Sequence, residues 1–180
     1  MEYRRAKVEG GTFFFTVVTY NRHQFLCEEE NTLILREAFR QVKQQYSFNI
    51  DAIAILPNHI HSIWTLPPGD SNFSNRWRLI KNYFTRNCDP KYKGDVSKSR
   101  QCKNEQAVWQ RRFWEHQIKD DLDFRNHIDY IHYNPVKHGY VESPAHWKYS
   151  SFHHYVKRGI YDENWGAGTE LEFTLDNRCE

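Results

Sequence analysis

Cysteine is scarce in this chain and poorly placed for any cross-link. The four present, Cys27, Cys88, Cys102 and Cys179, show no C-x-x-C spacing, which argues against a zinc knuckle or a disulfide framework and in favour of reduced thiols. Long apolar runs are missing too. None approaches the roughly 20 residues that span a bilayer, and the opening MEYRRAKVEGG lacks the apolar stretch of a secretory signal. A cytoplasmic protein with no membrane partner is the expectation. Repeats and low-complexity tracts are absent as well. Disorder is not expected, because 39% of the residues are hydrophobic and 16% aromatic. A chain of 180 residues fits one domain around one core.

Charge is present, and it is unevenly spread. Residues 159–180 carry six acidic groups and one basic, so the net charge of +2 leaves +7 on residues 1–158. A basic body suggests a phosphate-rich partner. The expected organisation is one domain over 1–159 and an acidic tail over 160–180. Within the domain, the aperiodic, Lys- and Ser-rich segment 88–107 reads as a mobile inserted loop.

GGTFFFTVVTY (10–20) is β-branched and aromatic after a glycine pair and predicts a first strand. From about Glu28 to Tyr46, Leu33, Leu35, Ala38, Phe39 and Val42 recur at helical spacing. FNIDAIAIL (48–56) and HIHSIWTL (59–66) flank Pro57-Asn58 and predict an antiparallel hairpin. A helix over 73–87 has Ser74 as its predicted N-cap, and strand character returns over 108–118. A helix over 120–134 is expected to stop before Pro135. A last helix over 143–159 would start with Ser143 as cap and Pro144 at its first position. The order β-α-β-β-α-β-α-α predicts an α+β sandwich of the split β-α-β, ferredoxin-like kind.

Strand alternation puts His59 and His61 on one face and Ile60 on the other. Two imidazoles at i, i+2 suit a divalent metal, and they equally suit a pair of hydrogen-bonded core histidines. On the 120–134 helix, Phe124, Ile128 and Ile131 form the apolar stripe, with Tyr130 and Asn134 one turn apart on its flank. A phenol can attack a phosphodiester where a metal neutralises the phosphate and a base takes the proton. A free pKa near ~10 otherwise leaves little phenolate at neutral pH. Asn134 could add an oxygen ligand to a metal held by the histidines. Candidate DNA contacts are Arg4 and Arg5, then Arg76, Arg78, Lys81 and Arg86 on one helix. Arg111 and Arg112, between Trp109 and Trp114, complete the set. Cations can follow a phosphate backbone while indoles stack unpaired bases, although the same residues also fit a solvated helix face and a core.

The segments GGTFFFT, LPNHIHSIWTLP, WQRRFWEH and HIDYIHYNPVKHGYV, in that order from Gly10 to about Val141, resemble the REP-associated tyrosine transposases of bacteria. These belong to the single-tyrosine HUH transposases. The resemblance implies a ferredoxin-like HUH fold with a central antiparallel β-sheet. It implies that His59, His61 and Asn134 hold Mg²⁺ or Mn²⁺ and that Tyr130 is the nucleophile, the two imidazoles suiting Mn²⁺ somewhat better. The implied substrate is single-stranded DNA beside the hairpin of a repetitive extragenic palindrome. Attack would leave a 5′-phosphotyrosine and a free 3′-hydroxyl. His116 falls in a family-like stretch, as a DNA contact or as acceptor of the tyrosine proton. A monomer is expected, although other single-tyrosine transposases exchange helices in dimers. Two other readings are a hairpin-binding module without catalysis and a metal phosphoesterase that uses water. The acidic tail is a candidate inhibitor, lying across the basic groove.

Overall fold

A computed structural model describes residues 8–173 of the chain, so Arg4, Arg5, Cys179 and the last part of the acidic tail lie outside the described residues. β1 (Thr12–Val18) and β3 (His59–Thr65) form the centre of a four-stranded sheet. β2 (Asn49–Leu56) and β4 (Trp114–Gln117) are its edges, in the order β2-β3-β1-β4. All pairings are antiparallel, which is the split β-α-β arrangement the sequence predicts.

The three consecutive phenylalanines of β1 explain why it is central. All are fully buried, each burial stabilising by roughly 1.5–3 kcal/mol, and alternation sends them to both faces of the sheet. Phe13 and Phe15 meet Ile60, Trp64 and the apolar sides of α1 (Glu29–Gln45) and α2 (Phe73–Asn87). Phe14 faces the opposite way, into a second cluster with Ala52, Ala54, Ile63, Ile128 and Ile131. Two of those residues come from α4 (Asp121–Lys137). The sheet therefore has helices on both faces. Ile60 lies in the α1/α2 layer, as expected, and its two histidine neighbours lie under α4.

Several element boundaries differ from those expected. α2 is capped by Asn72, whose side chain accepts from Asn75 N at 3.2 Å, and not by Ser74. β4 covers only four residues of the predicted 108–118 strand, because Val108 and Trp109 turn into the core and touch the sheet at a single Thr19–Trp109 bridge. The 88–107 segment is not structureless. It holds a 3₁₀ turn at Pro90–Tyr92, a short helix α3 (Lys98–Gln101) and a Gly94–Ala107 bridge. Arg100 anchors it, buried and donating to Gln106 O and Trp109 O. The predicted last helix is a 3₁₀ turn at Pro144–His146 followed by α5 (Phe152–Lys157), with Ser143 capping the turn.

α4 runs through Pro135 instead of stopping before it. Proline removes the bond to the carbonyl four residues back and its ring crowds that carbonyl, a local cost confined here to the last turn, since the helix ends two residues later. Its start is firmly fixed, since Asp120 accepts from Leu122 N and Asp123 N at 3.0 and 2.8 Å.

Candidate active site

Register brings the sequence-predicted residues together. Val18 pairs with His59 and Thr16 with His61, on the face that α4 covers. Asn58 Oδ1 can only accept, so the 2.6 Å contact to His59 Nδ1 fixes the proton there and leaves a lone pair on Nε2. That Nε2 faces Asn134 Oδ1 at 3.4 Å. His61 shares a 3.0 Å hydrogen bond with Thr16 through Nδ1, and its Nε2 is buried with no hydrogen-bond partner. Burial first, then the charge that His59 and His138 would carry if protonated and the charges of Lys137 and Arg22, hold the His61 imidazole well below its ordinary pKa. The ring is neutral at physiological pH, the form that a metal needs.

Two nitrogen lone pairs and an amide oxygen converge here, with an orphaned buried nitrogen among them. A buried imidazole nitrogen without a partner, as in His61, is costly unless something satisfies it. The donor set therefore fits a divalent ion. Asn58 and Thr16 bond the two rings through Nδ1 and so fix their orientation.

Tyr130 stands one turn before Asn134 on α4. Its ring lies 5.3 Å from that of His61, edge-on, and it is 2% exposed. The Lys137 ammonium sits 5.0 Å from the Tyr130 ring centroid. Phe14 and Phe173 complete the contacts at 6.1 and 5.6 Å.

His116 is placed differently. Its Nε2 donates to Asp123 Oδ2 at 2.8 Å, and the ring contacts from it toward Tyr130 pass through His127 and Phe14. His116, Asp123 and His127 form a second group with metal-ligand character, their ligand atoms within 4.8 Å of one another. Those atoms already bond one another, tying β4 to the start of α4.

The candidate DNA contacts separate into two kinds. Arg78, Lys81, Arg86 and Arg111 line a cleft of about 940 Å³ between α2 and residues 100–113. Arg111 is paired there with Glu105 at 2.6 Å. Arg112 is exposed and Trp114 half-buried, its ring stacked on that of His116. Arg76 and Trp109 are different. Trp109 borders the same cleft but is 4% exposed and packs edge-on against Phe84, so it belongs to the core beneath it. Arg76 is 2% exposed, and its guanidinium bonds Asp70 and the Ser47, Asn72 and Tyr46 carbonyls. It cannot reach a phosphate. Its place in the apolar register Phe73, Trp77, Ile80, Phe84 is the sequence signal that would have shown this.

The model of the family described as Transposase IS200 like matches residues 7–134. A REP-associated tyrosine transposase of Escherichia coli K12 is 44% identical over 98% of this chain and 97% of its own length. A Haemophilus influenzae protein provisionally named the same way is 47% identical over 97% and 98%. The chain belongs to the REP-associated tyrosine transposases. Within that transposase family, a solved structure of a member bound to a REP hairpin is similar at a TM-score of 0.80 and 42% identity, covering 99% of this chain and 98% of that one. The transposase fold expected from the sequence is thus the fold observed. No helix among the described residues is long and apolar enough to cross a membrane.

Sequence reasoning missed three neighbours of the site in this transposase. Lys137 and His138 lie beyond the predicted end of α4, and Phe173 comes from the tail. The HYNPVKHG run places the first two within one turn of Asn134 once the helix is carried through the proline. Nothing local to Phe173 signals its contact.

Proposed function

We propose that the chain cleaves and rejoins single-stranded DNA beside a REP-type hairpin, with Tyr130 as nucleophile. The observation that carries this reading is the meeting of Tyr130 with His59, His61 and Asn134 in a buried cluster that has an orphaned imidazole nitrogen. His59, His61 and Asn134 would hold Mg²⁺ or Mn²⁺, which when bound polarises a phosphate and offsets charge in the transition state. Tyr130 Oη gives up its proton and forms the new bond to phosphorus as the bond to the 3′-oxygen breaks, and that oxygen takes up a proton in exchange, so none is gained or lost overall. The product pair is a 5′-phosphotyrosine and a free 3′-hydroxyl. Because the phosphoester bond is conserved on the protein, strands can be rejoined without ATP. Lys137, beside the phenol, adds positive charge where phenolate character develops.

The test is incubation with a labelled hairpin oligonucleotide carrying a single-stranded flank, with Mn²⁺ or Mg²⁺. Wild type is expected to form a denaturation-resistant adduct and Tyr130→Phe none. Adduct formation by Tyr130→Phe would remove Tyr130 from this role. Cleavage without any adduct would favour the water-using phosphoesterase, and tight binding without cleavage would favour the hairpin-binding module.

The cleft along α2 is the place proposed for the duplex stem, by charge and by the REP hairpin that the structural relative binds. Replacing Arg78 and Arg86 together by Ala should weaken hairpin binding for any stem sequence. It should also lower the slope of log affinity against log salt by up to about 2, read by anisotropy between low and physiological salt.

The described part of the tail does not lie across that cleft. It runs back over α4, where Tyr161 bonds Asp129, Tyr133 donates to Thr169 O at 2.7 Å, and Phe173 closes over Tyr130. Its inhibitory role is accordingly proposed at the nucleophile. Phe173→Ala should raise the cleavage rate several-fold at unchanged hairpin affinity. An unchanged rate would rule out the cover.

A further inference from the structure

α4 ends in a Schellman turn. Gly139 takes φ +69°, its N–H donates to Val136 O at 2.8 Å, and Tyr140 N donates to Pro135 O at 2.9 Å. The turn sets His138 and Tyr140 at the edge of the cluster, and an unbroken series of ring contacts then leads away from the site. His59 to His138 is 5.3 Å, and His138 to Tyr140 is 6.1 Å. Tyr140 stacks on Trp147 at 5.6 Å and 26°, and Trp147 meets Tyr149 at 5.7 Å.

The far rings are fastened from beneath. Trp147 Nε1 donates to Ile55 O at 3.0 Å and Tyr149 Oη to Cys27 O at 2.8 Å. Tyr140, in contrast, is 36% exposed and His138 is exposed. A stacked pair of large rings, rigidly backed and open on one side, is an expensive surface to show to water.

Cations border the track. Lys137 and Lys148 are exposed, Lys137 beside the Tyr130 ring at 5.0 Å and Lys148 over the Tyr149 ring at 4.8 Å. Arg22 stands at the same end of the sheet, where its charge bears on His61. It follows Asn21, both residues lying in the left-handed region at φ 54° and 51°, a conformation that costs non-glycine residues on the order of 1–3 kcal/mol each. Thr19 holds that turn by donating to His23 O and Asn58 O. The strained turn is thus bonded to the residue that orients His59.

Resting on the reading of Tyr130 as a DNA nucleophile, we propose that Tyr140 and Trp147 form a stacking platform for the unpaired bases next to the scissile phosphate, with Lys137 and Lys148 facing their phosphates. The occupant is single-stranded DNA, because only unpaired bases offer their π-faces to such a ladder and the flanking charges are positive. A duplex hides those faces. The platform therefore distinguishes unpaired from paired DNA, and since every base has a π-face it does so with little regard to sequence.

Binding is measured by anisotropy in EDTA with two probes, a hairpin bearing a single-stranded flank and the same hairpin ending blunt. Tyr140→Ala should weaken the flanked probe about tenfold and leave the blunt one unchanged, while Tyr140→Trp should retain wild-type affinity for both. A 2-aminopurine in the flank should be quenched by wild type and not by Tyr140→Ala. Equal losses on both probes, or no loss on the flanked one, would overturn the platform. Chemistry is excluded from this measurement, so a missing adduct would sink the proposed cleavage and leave the platform standing, and the converse holds.

Discussion

A His61→Ala chain is expected to lose strand cleavage by about a thousandfold or more, while its affinity for a hairpin changes little. His61 contributes nothing that the duplex stem could touch. It is buried beneath α4, on the face of the sheet opposite the cleft along α2. What it offers is a neutral Nε2 that the protein leaves unsatisfied. Losing a ligand removes the several kcal/mol of transition-state charge stabilisation that a bound cation supplies, and each ~1.4 kcal/mol is a factor of ten in rate. Mn²⁺ titration by calorimetry should show binding in wild type and its loss in His61→Ala. Chelation of wild type should reproduce the variant's defect and leave hairpin binding intact. Undiminished cleavage by His61→Ala in excess Mn²⁺ would exclude the histidine pair as the metal site.

Arg76→Ala is expected to be the most destabilising substitution among the basic residues considered. The guanidinium lies in the core edge between α2 and the β2 entry, 5.7 Å from the Phe48 ring centroid, with four protein oxygens around it. Removing it strands three carbonyls and the Asp70 carboxylate, a cost of about 3 kcal/mol for breaking a largely buried pair whose acidic partner keeps some solvent. For a chain of this length that is a fall in Tm of roughly 10 °C. The hydrogen bonds and charge of Arg76 hold Asp70 below the usual carboxylate range. A depressed carboxylate stabilises the fold above its unfolded pKa near ~4 and loses that contribution as pH falls through the folded value. The gap between wild type and Arg76→Ala should therefore narrow in acid. At a temperature where both are folded, the salt dependence of hairpin binding should be the same in the two chains. A reduced slope in the variant would return Arg76 to the DNA surface.

The two arginines Arg76 and Arg78 show where reading from sequence succeeds and where it stops. Counting charges on a helix treats both alike, yet their positions differ by about 200° around the axis, enough to put one in the core and the other in solvent. Alternation of side chains along β3 was a safer guide, because a strand between two layers has only two sides, and His59, Ile60 and His61 fall as the period demands. The meeting of Tyr130 with those histidines depends on α4 packing over β2 and β3, which local pattern cannot supply. The four quoted motifs supplied it through resemblance. Pro135 misled for a local reason. The rule that proline ends a helix concerns its interior, and in the last turn the lost bond matters little. Phe173 over Tyr130 joins segments far apart in the sequence, which no local spacing marks. The stack from His138 to Tyr149 is local, two aromatic pairs at i, i+2 brought face to face by the turn at Pro144–His146.

The proposed chemistry also bears on stoichiometry. One helix of the chain presents one phenol beside the histidine pair. In the proposed reaction such a chain can be joined to a single 5′ end at a time, and it stays occupied until a 3′-hydroxyl attacks the phosphotyrosine in return. Cutting both ends of a DNA segment then requires two molecules, or two successive rounds by one, with the strand order set by which end is released first.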